Sequence, residues 1–139
     1  MLTLEDTALI VVDVQDRLAR VMYEKEVLLK NLQKLMQGGQ VLGIPIILTE
    51  QNPEGLGPTV PEVAHLLPDT QPIPKLSFSC CGNERFLREL EALNRKQVLI
   101  AGTELHVCVY QTAVDLLSLG YKDHCAADAV SSRTVKNRK

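Results

Sequence analysis

Three side chains in this sequence have the types and the placement to work together as an acid, a base and a nucleophile. Asp13 directly follows the apolar run Thr7-Ala8-Leu9-Ile10-Val11-Val12. Lys75 ends a proline-rich stretch, in Pro74-Lys75-Leu76-Ser77. Cys108 follows a third apolar run and sits at the predicted first turn of a helix. A thiol at a helix N-terminus feels the positive end of the helix dipole, and a nearby ammonium reinforces that pull. A carboxylate in reach of such a thiol can take its proton. Exposed backbone N–H groups between Gly102 and Cys108 can in turn receive an oxyanion. Taken one at a time, each residue also has a plainer reading. Free cysteine is among the most buried residue types, Asp commonly caps a turn, and Lys75 can be one more solvated lysine.

The elements that would position these residues are legible from the apolar pattern. Thr7–Val12 is β-branched and continuous, as in a strand buried on both faces. Residues 24–37 place Val27, Leu28, Leu32, Leu35 and Met36 on one helical face, and Gly38-Gly39 is predicted to stop that helix. Ile44-Pro45-Ile46-Ile47-Leu48 is predicted to form a second strand, with its proline near the start. Residues 51–74 hold six of the seven prolines and are predicted to form a long shaped loop with one helical turn near 62–66. A helix over 84–94, a third strand over 97–101, a helix over 108–119 closed by Gly120, and a fourth strand over 121–127 follow. Asp128 to Arg133 is predicted to begin a further turn or helix. Strands alternating with amphipathic helices predict an α/β fold with a parallel sheet, in which ligands sit beyond the carboxyl ends of the strands. All three candidate residues stand there.

Composition narrows the classes. The chain has 139 residues with 15 basic and 17 acidic side chains, for a net charge of −2. That length predicts a single domain over residues 1–139, large enough to bury roughly two-thirds of its unfolded surface. With a sequence pI near 5.9 and no basic stripe before the last residues, no nucleic-acid partner is expected. No apolar run is long enough for a bilayer, and the N-terminus lacks the pattern of a secretory leader. Cysteines at 80, 81, 108 and 125 form neither a disulfide framework nor zinc spacing, which predicts a reducing, cytoplasmic setting. His106 lies two residues before Cys108 and reads as a loop or capping residue. His124 and Cys125 share a strand and so face opposite ways.

Five segments in order carry a resemblance. They are Val11-Val12-Asp13-Val14-Gln15-Asp16; Leu48-Thr49-Glu50-Gln51-Asn52-Pro53 with Gly55-Leu56-Gly57-Pro58-Thr59; Lys75-Leu76-Ser77-Phe78-Ser79; Ala101-Gly102-Thr103-Glu104-Leu105-His106-Val107-Cys108-Val109-Tyr110-Gln111-Thr112-Ala113; and Ala127-Asp128-Ala129-Val130-Ser131-Ser132-Arg133. Together they resemble the isochorismatase-like hydrolase superfamily, cysteine hydrolases that include nicotinamidases, and most of all its isochorismatase-domain-containing branch. The resemblance implies a Rossmann-like three-layer α/β/α fold with a further C-terminal helix and edge strand, which are missing after residue 139; the expectation is either a domain that ends there or a C-terminally truncated fragment. It implies an Asp13–Lys75–Cys108 triad, in which Cys108 attacks, Asp13 shuttles the proton and Lys75 steadies both. The backbone amides of Glu104 and Cys108 would form the oxyanion hole, and Gln51 would line the pocket. Nicotinamidases hold a metal with an acid and histidines after the second strand. Here no histidine occurs until His65, so neither a metal nor another cofactor is expected.

The expectation is therefore a homo-oligomeric hydrolase acting on a small molecule, at an amide or similar C–N bond. The alternative is a catalytically silent binding or scaffold protein that keeps the fold.

Overall fold

A computed structural model describes residues 3–22, 24–103 and 105–131. Its centre is a five-stranded sheet in the order β3-β2-β1-β4-β5, with every pairing parallel. The strands are β1 (Thr7–Val12), β2 (Ile46–Gln51), β3 (Ile73–Lys75), β4 (Gln97–Thr103) and β5 (Lys122–Ser131). The α/β expectation is met, and the sheet contains one strand more than the apolar pattern predicts. β3 is short and carries Pro74, which a sheet accepts only at an edge, and β3 pairs with β2 alone.

β1 is buried along its whole length, and its pleat divides the core. Leu9 and Val11 face a cluster with Leu18 of α1 (Asp16–Ala19) and Leu28, Leu32 and Met36 of α2 (Lys25–Val41). Ala8, Ile10 and Val12 face the other side, where Phe86 and Leu90 of α5 (Glu84–Ala92) and Leu116 of α6 (Tyr110–Ser118) pack. Two apolar faces on one strand, each covered by helices, give the three layers.

Four elements run further than the sequence predicts: β2 reaches Gln51 rather than Leu48, β4 reaches Thr103 rather than Ala101, and α2 and β5 pass through their predicted stops. α2 passes through Gly38-Gly39 and ends at Val41. Gly39 is buried against Leu9, Ile44 and Ile46, so packing outweighs the weak helix propensity of glycine. The stop is Gly43, at φ 75°, where Gly43 N donates to Gln40 O and Ile44 N to Gly39 O, a Schellman closure. β5 likewise continues past Ala127 to Ser131, in place of the predicted turn or helix at 128–133; residues 132–139 lie outside the described part. A register shift between Ile100 and Gly102 lets β4 keep pairing with this longer strand.

The segment 51–74 is more ordered than a loop. α3 (Pro53–Leu56) and α4 (Pro61–Ala64) each begin with proline in the first turn, where its missing N–H costs nothing. Gln15, fully buried, pins the segment: its Nε2 donates to Gln51 O and Gly57 O, and its Oε1 accepts from Gln51 N. Among the described residues no helix is long and apolar enough to cross a membrane.

Candidate functional site

The carboxyl ends of β1, β2, β3 and β4 come together at one rim of the sheet. Val12 is in register with Thr49 on one side and Gly102 on the other, and Gln51 with Lys75. Asp13 leaves β1 there in the left-handed region, at φ 51°. Gly102, at φ 119°, lets the β4 backbone pass against β1: a Cβ on it would lie 2.2 Å from Val12 O.

Asp13 and Lys75 form an ion pair with both side chains fully buried, Nζ to Oδ2 at 2.9 Å. The lysine is thus the opposite of a solvated one. Its ammonium also donates to Gln51 Oε1 at 2.9 Å, Ser77 O at 2.9 Å and Phe78 O at 2.8 Å. Four acceptors around an ammonium with three protons, one of them shared, fix its position and answer the desolvation of its charge. Asp13 is held just as fully. Thr49 Oγ1 donates to Oδ1 at 2.7 Å, Asp13 N donates to Thr49 O at 3.2 Å, and Thr103 Oγ1 donates to Asp13 O at 2.7 Å. A buried ion pair contributes little to stability relative to an apolar replacement, so this arrangement calls for an explanation in chemistry.

Gln51 is brought directly onto Lys75. Its amide bridges two neighbouring residues, with Oε1 accepting from Lys75 Nζ and Nε2 donating to Leu76 O at 2.9 Å. Cys108 lies in a π-helical segment, Leu105–Val109, that leads from the end of β4 into α6. It is 5% exposed and belongs to the same core cluster as Val12, Ile100 and Cys80. The predicted α-helical first turn at Cys108 is therefore a wider π turn, a form that recurs at functional sites. Glu104 and the His106 side chain lie outside the described residues.

Four participants escaped sequence reasoning. Gln15, Thr49 and Thr103 are polar residues in or beside otherwise apolar strands, and that interruption is the signal that marks them. The fourth is Cys80, in a 3-10 turn (Cys80–Gly82). Its thiol donates to Thr49 Oγ1 at 3.8 Å. Burial pushes the Cys80 thiol up to about 12, with Lys75 pulling the other way and Asp13 adding to the rise. Cys81 is pushed up to about 11, also by burial. Among the described residues no cluster of three or more histidines, cysteines or carboxylates is placed to hold a metal.

The family model described as Isochorismatase domain matches residues 7–139. Isochorismatase domain-containing protein 1 of Salmo salar is 42% identical over 106 residues, covering 76% of this chain and 37% of that protein. The structure of the MAR1 ribonuclease from Caenorhabditis elegans superposes with a TM-score of 0.91 at 36% identity, covering 99% of this chain and 70% of that one. The YcaC gene product of Escherichia coli, an octameric hydrolase of unknown specificity, superposes with a TM-score of 0.93 at 28% identity, covering 99% of this chain and 69% of that one. The chain thus spans little more than a third of the salmon relative and about 70% of the two structural ones.

Proposed function

The chain belongs to the isochorismatase family, and we propose that it is a small-molecule cysteine hydrolase that opens an amide or similar C–N bond through Cys108. The observation that carries this reading is the fully buried Asp13–Lys75 pair at the sheet rim, a costly arrangement that acid–base chemistry explains.

Asp13 takes the proton of Cys108, and the thiolate adds to the substrate carbonyl carbon. The resulting oxyanion is received by the backbone N–H groups of Glu104 and Cys108. Collapse of the tetrahedral adduct expels the amine, which leaves with the proton from Asp13, and a thioester remains on Cys108. Asp13 then deprotonates a water, whose attack releases the carboxylic acid and returns the thiol. Lys75 donates to Asp13 Oδ2 and adds positive potential where the thiolate forms. Gln51 sets the lysine's position and the edge of the pocket.

A small substrate suits this chain better than RNA, because its net charge is −2 and phosphate binding needs clustered basic side chains. A homo-oligomer is part of the reading, supported by the octameric relative. So is a reducing, cytoplasmic setting, supported by the free thiols of Cys80, Cys81 and Cys125.

The test is amine release from a panel of small aliphatic and aromatic amides, comparing the wild type with Cys108→Ala. The expected result is turnover of at least one amide, lost by more than about a thousandfold in a variant that keeps its circular dichroism spectrum. Turnover that survives the substitution overturns the assignment of Cys108. A panel with no turnover at all favours the silent binding protein.

A further inference from the structure

We propose that Thr49 is a positioning residue for the Asp13 carboxylate. The inference rests on the reading of Asp13 as the proton shuttle. The torsion that turns a carboxylate about its Cβ–Cγ bond is soft, and one contact with Lys75 leaves it free to swing. In this site the two oxygens are held by different donors: Oδ2 by Lys75 Nζ at 2.9 Å and Oδ1 by Thr49 Oγ1 at 2.7 Å. Two donors on two oxygens fix the plane of the group. Thr49 is 1% exposed, so its hydroxyl is shielded from bulk water.

A threonine hydroxyl has one proton and can turn it in several directions. Cys80 removes that freedom. Its Sγ lies 3.8 Å from Thr49 Oγ1 as a hydrogen-bond donor, and burial, which pushes this thiol up to about 12, favours the protonated form that can donate. With an acceptor position of Oγ1 occupied from that side, the hydroxyl proton is committed to Asp13. Thr49 also holds Asp13 through the backbone, because its carbonyl accepts the Asp13 N–H at 3.2 Å. That backbone bond persists in any substitution, so a change of side chain isolates the hydroxyl.

The experiment compares Thr49→Val, which keeps the volume and removes the proton donor, with Thr49→Ser, which keeps the donor. Thr49→Ala replaces the valine variant if valine does not fold. Two readouts are taken: the crystal structure of each variant, and the iodoacetamide alkylation rate of Cys108 with Cys125 as the internal reference. In Thr49→Val the carboxylate is expected to rotate and its contact with Lys75 Nζ to lengthen beyond hydrogen-bonding distance. Cys108 alkylation is expected to fall by about tenfold, the loss of one charge-assisted hydrogen bond. Thr49→Ser keeps the geometry and stays within about twofold of wild type, with Cys125 unchanged in every variant. A carboxylate that holds its place in Thr49→Val overturns the proposal, whatever Cys108 does. A carboxylate that rotates while Cys108 reacts as before upholds the positioning and overturns the reading of Asp13 as the base for Cys108.

Discussion

Replacing Lys75 with methionine removes the charge from the centre of the site while filling most of its volume. The buried carboxylate of Asp13 then loses its counter-ion, a loss that in buried pairs costs about 3–5 kcal/mol. Gln51 Oε1, Ser77 O and Phe78 O lose a donor in the same step. At about 1 kcal/mol for each of the three acceptors, the total comes to roughly 6–8 kcal/mol. At about 0.05–0.15 kcal/mol per residue, a domain of this length has roughly 7–20 kcal/mol to lose, so Lys75→Met is expected to fold but to unfold at markedly lower urea. The double variant Lys75→Met/Asp13→Asn removes the stranded charge and should recover about 2 kcal/mol or more of the loss. Urea titrations followed by circular dichroism measure both, with the slope of the transition checked for constancy. A single variant within about 1 kcal/mol of wild type would refute the reasoning, because the pair would then be solvated. A double variant no more stable than the single one would show that the cost is not electrostatic.

Gly102→Ala is expected to be among the most damaging single changes, since the new Cβ would meet Val12 O at 2.2 Å and Val12 N at 2.6 Å at a φ of 119°; a melting temperature within a few degrees of wild type contradicts this. Cys81, raised to about 11 by burial, should alkylate slowly at pH 8 and faster as pH approaches 11, and Cys80, raised to about 12 and fully buried, should stay unmodified in the folded protein. Peptide mass spectrometry across a pH series reads both, and rapid labelling of Cys80 at pH 8 would show that it is not enclosed. The Arg20–Glu62 contact at 2.9 Å joins side chains that are 39% and 38% exposed, so Glu62→Gln should cost less than about 1 kcal/mol at neutral pH. Because the Arg20 hydrogen bond holds the Glu62 carboxyl below its usual range, that contribution is present above the ordinary carboxylate value and fades as pH falls through the lowered one. A stability difference between wild type and variant that grows on acidification would contradict the sign.

Much of this arrangement is legible in the amino-acid sequence. β1 and the apolar stretches that open β2 and β4 are continuous, and α5 and α6 follow helical spacing, so the α/β class and the sheet rim at which ligands are expected follow directly. Asp13 and Lys75 gain weight because both fall at that rim. β3 is hidden, because Ile73-Pro74-Lys75 is three residues with a proline at its centre; only the pairing with β2 makes it a strand. The run of α2 through Gly38-Gly39 is hidden for a related reason, since Gly39 is held by contacts with the sheet that a local window does not contain. Thr49 and Cys80 are hidden most deeply. Thr49 touches Asp13 from 36 residues away and Cys80 touches Thr49 from 31; a polar residue in an apolar strand flags Thr49, but neither type nor spacing names the distant partner that gives either residue its role.

The measurement that bears most directly on the central claim is the order in which the four thiols react with a limiting amount of iodoacetamide at neutral pH, read by peptide mass spectrometry. An activated nucleophile at the rim predicts that Cys108, though only 5% exposed, is modified first, ahead of the exposed Cys125, and that Lys75→Met abolishes this priority. Modification of Cys125 first, with Cys108 left intact, would contradict the account and make Cys108 a structural thiol.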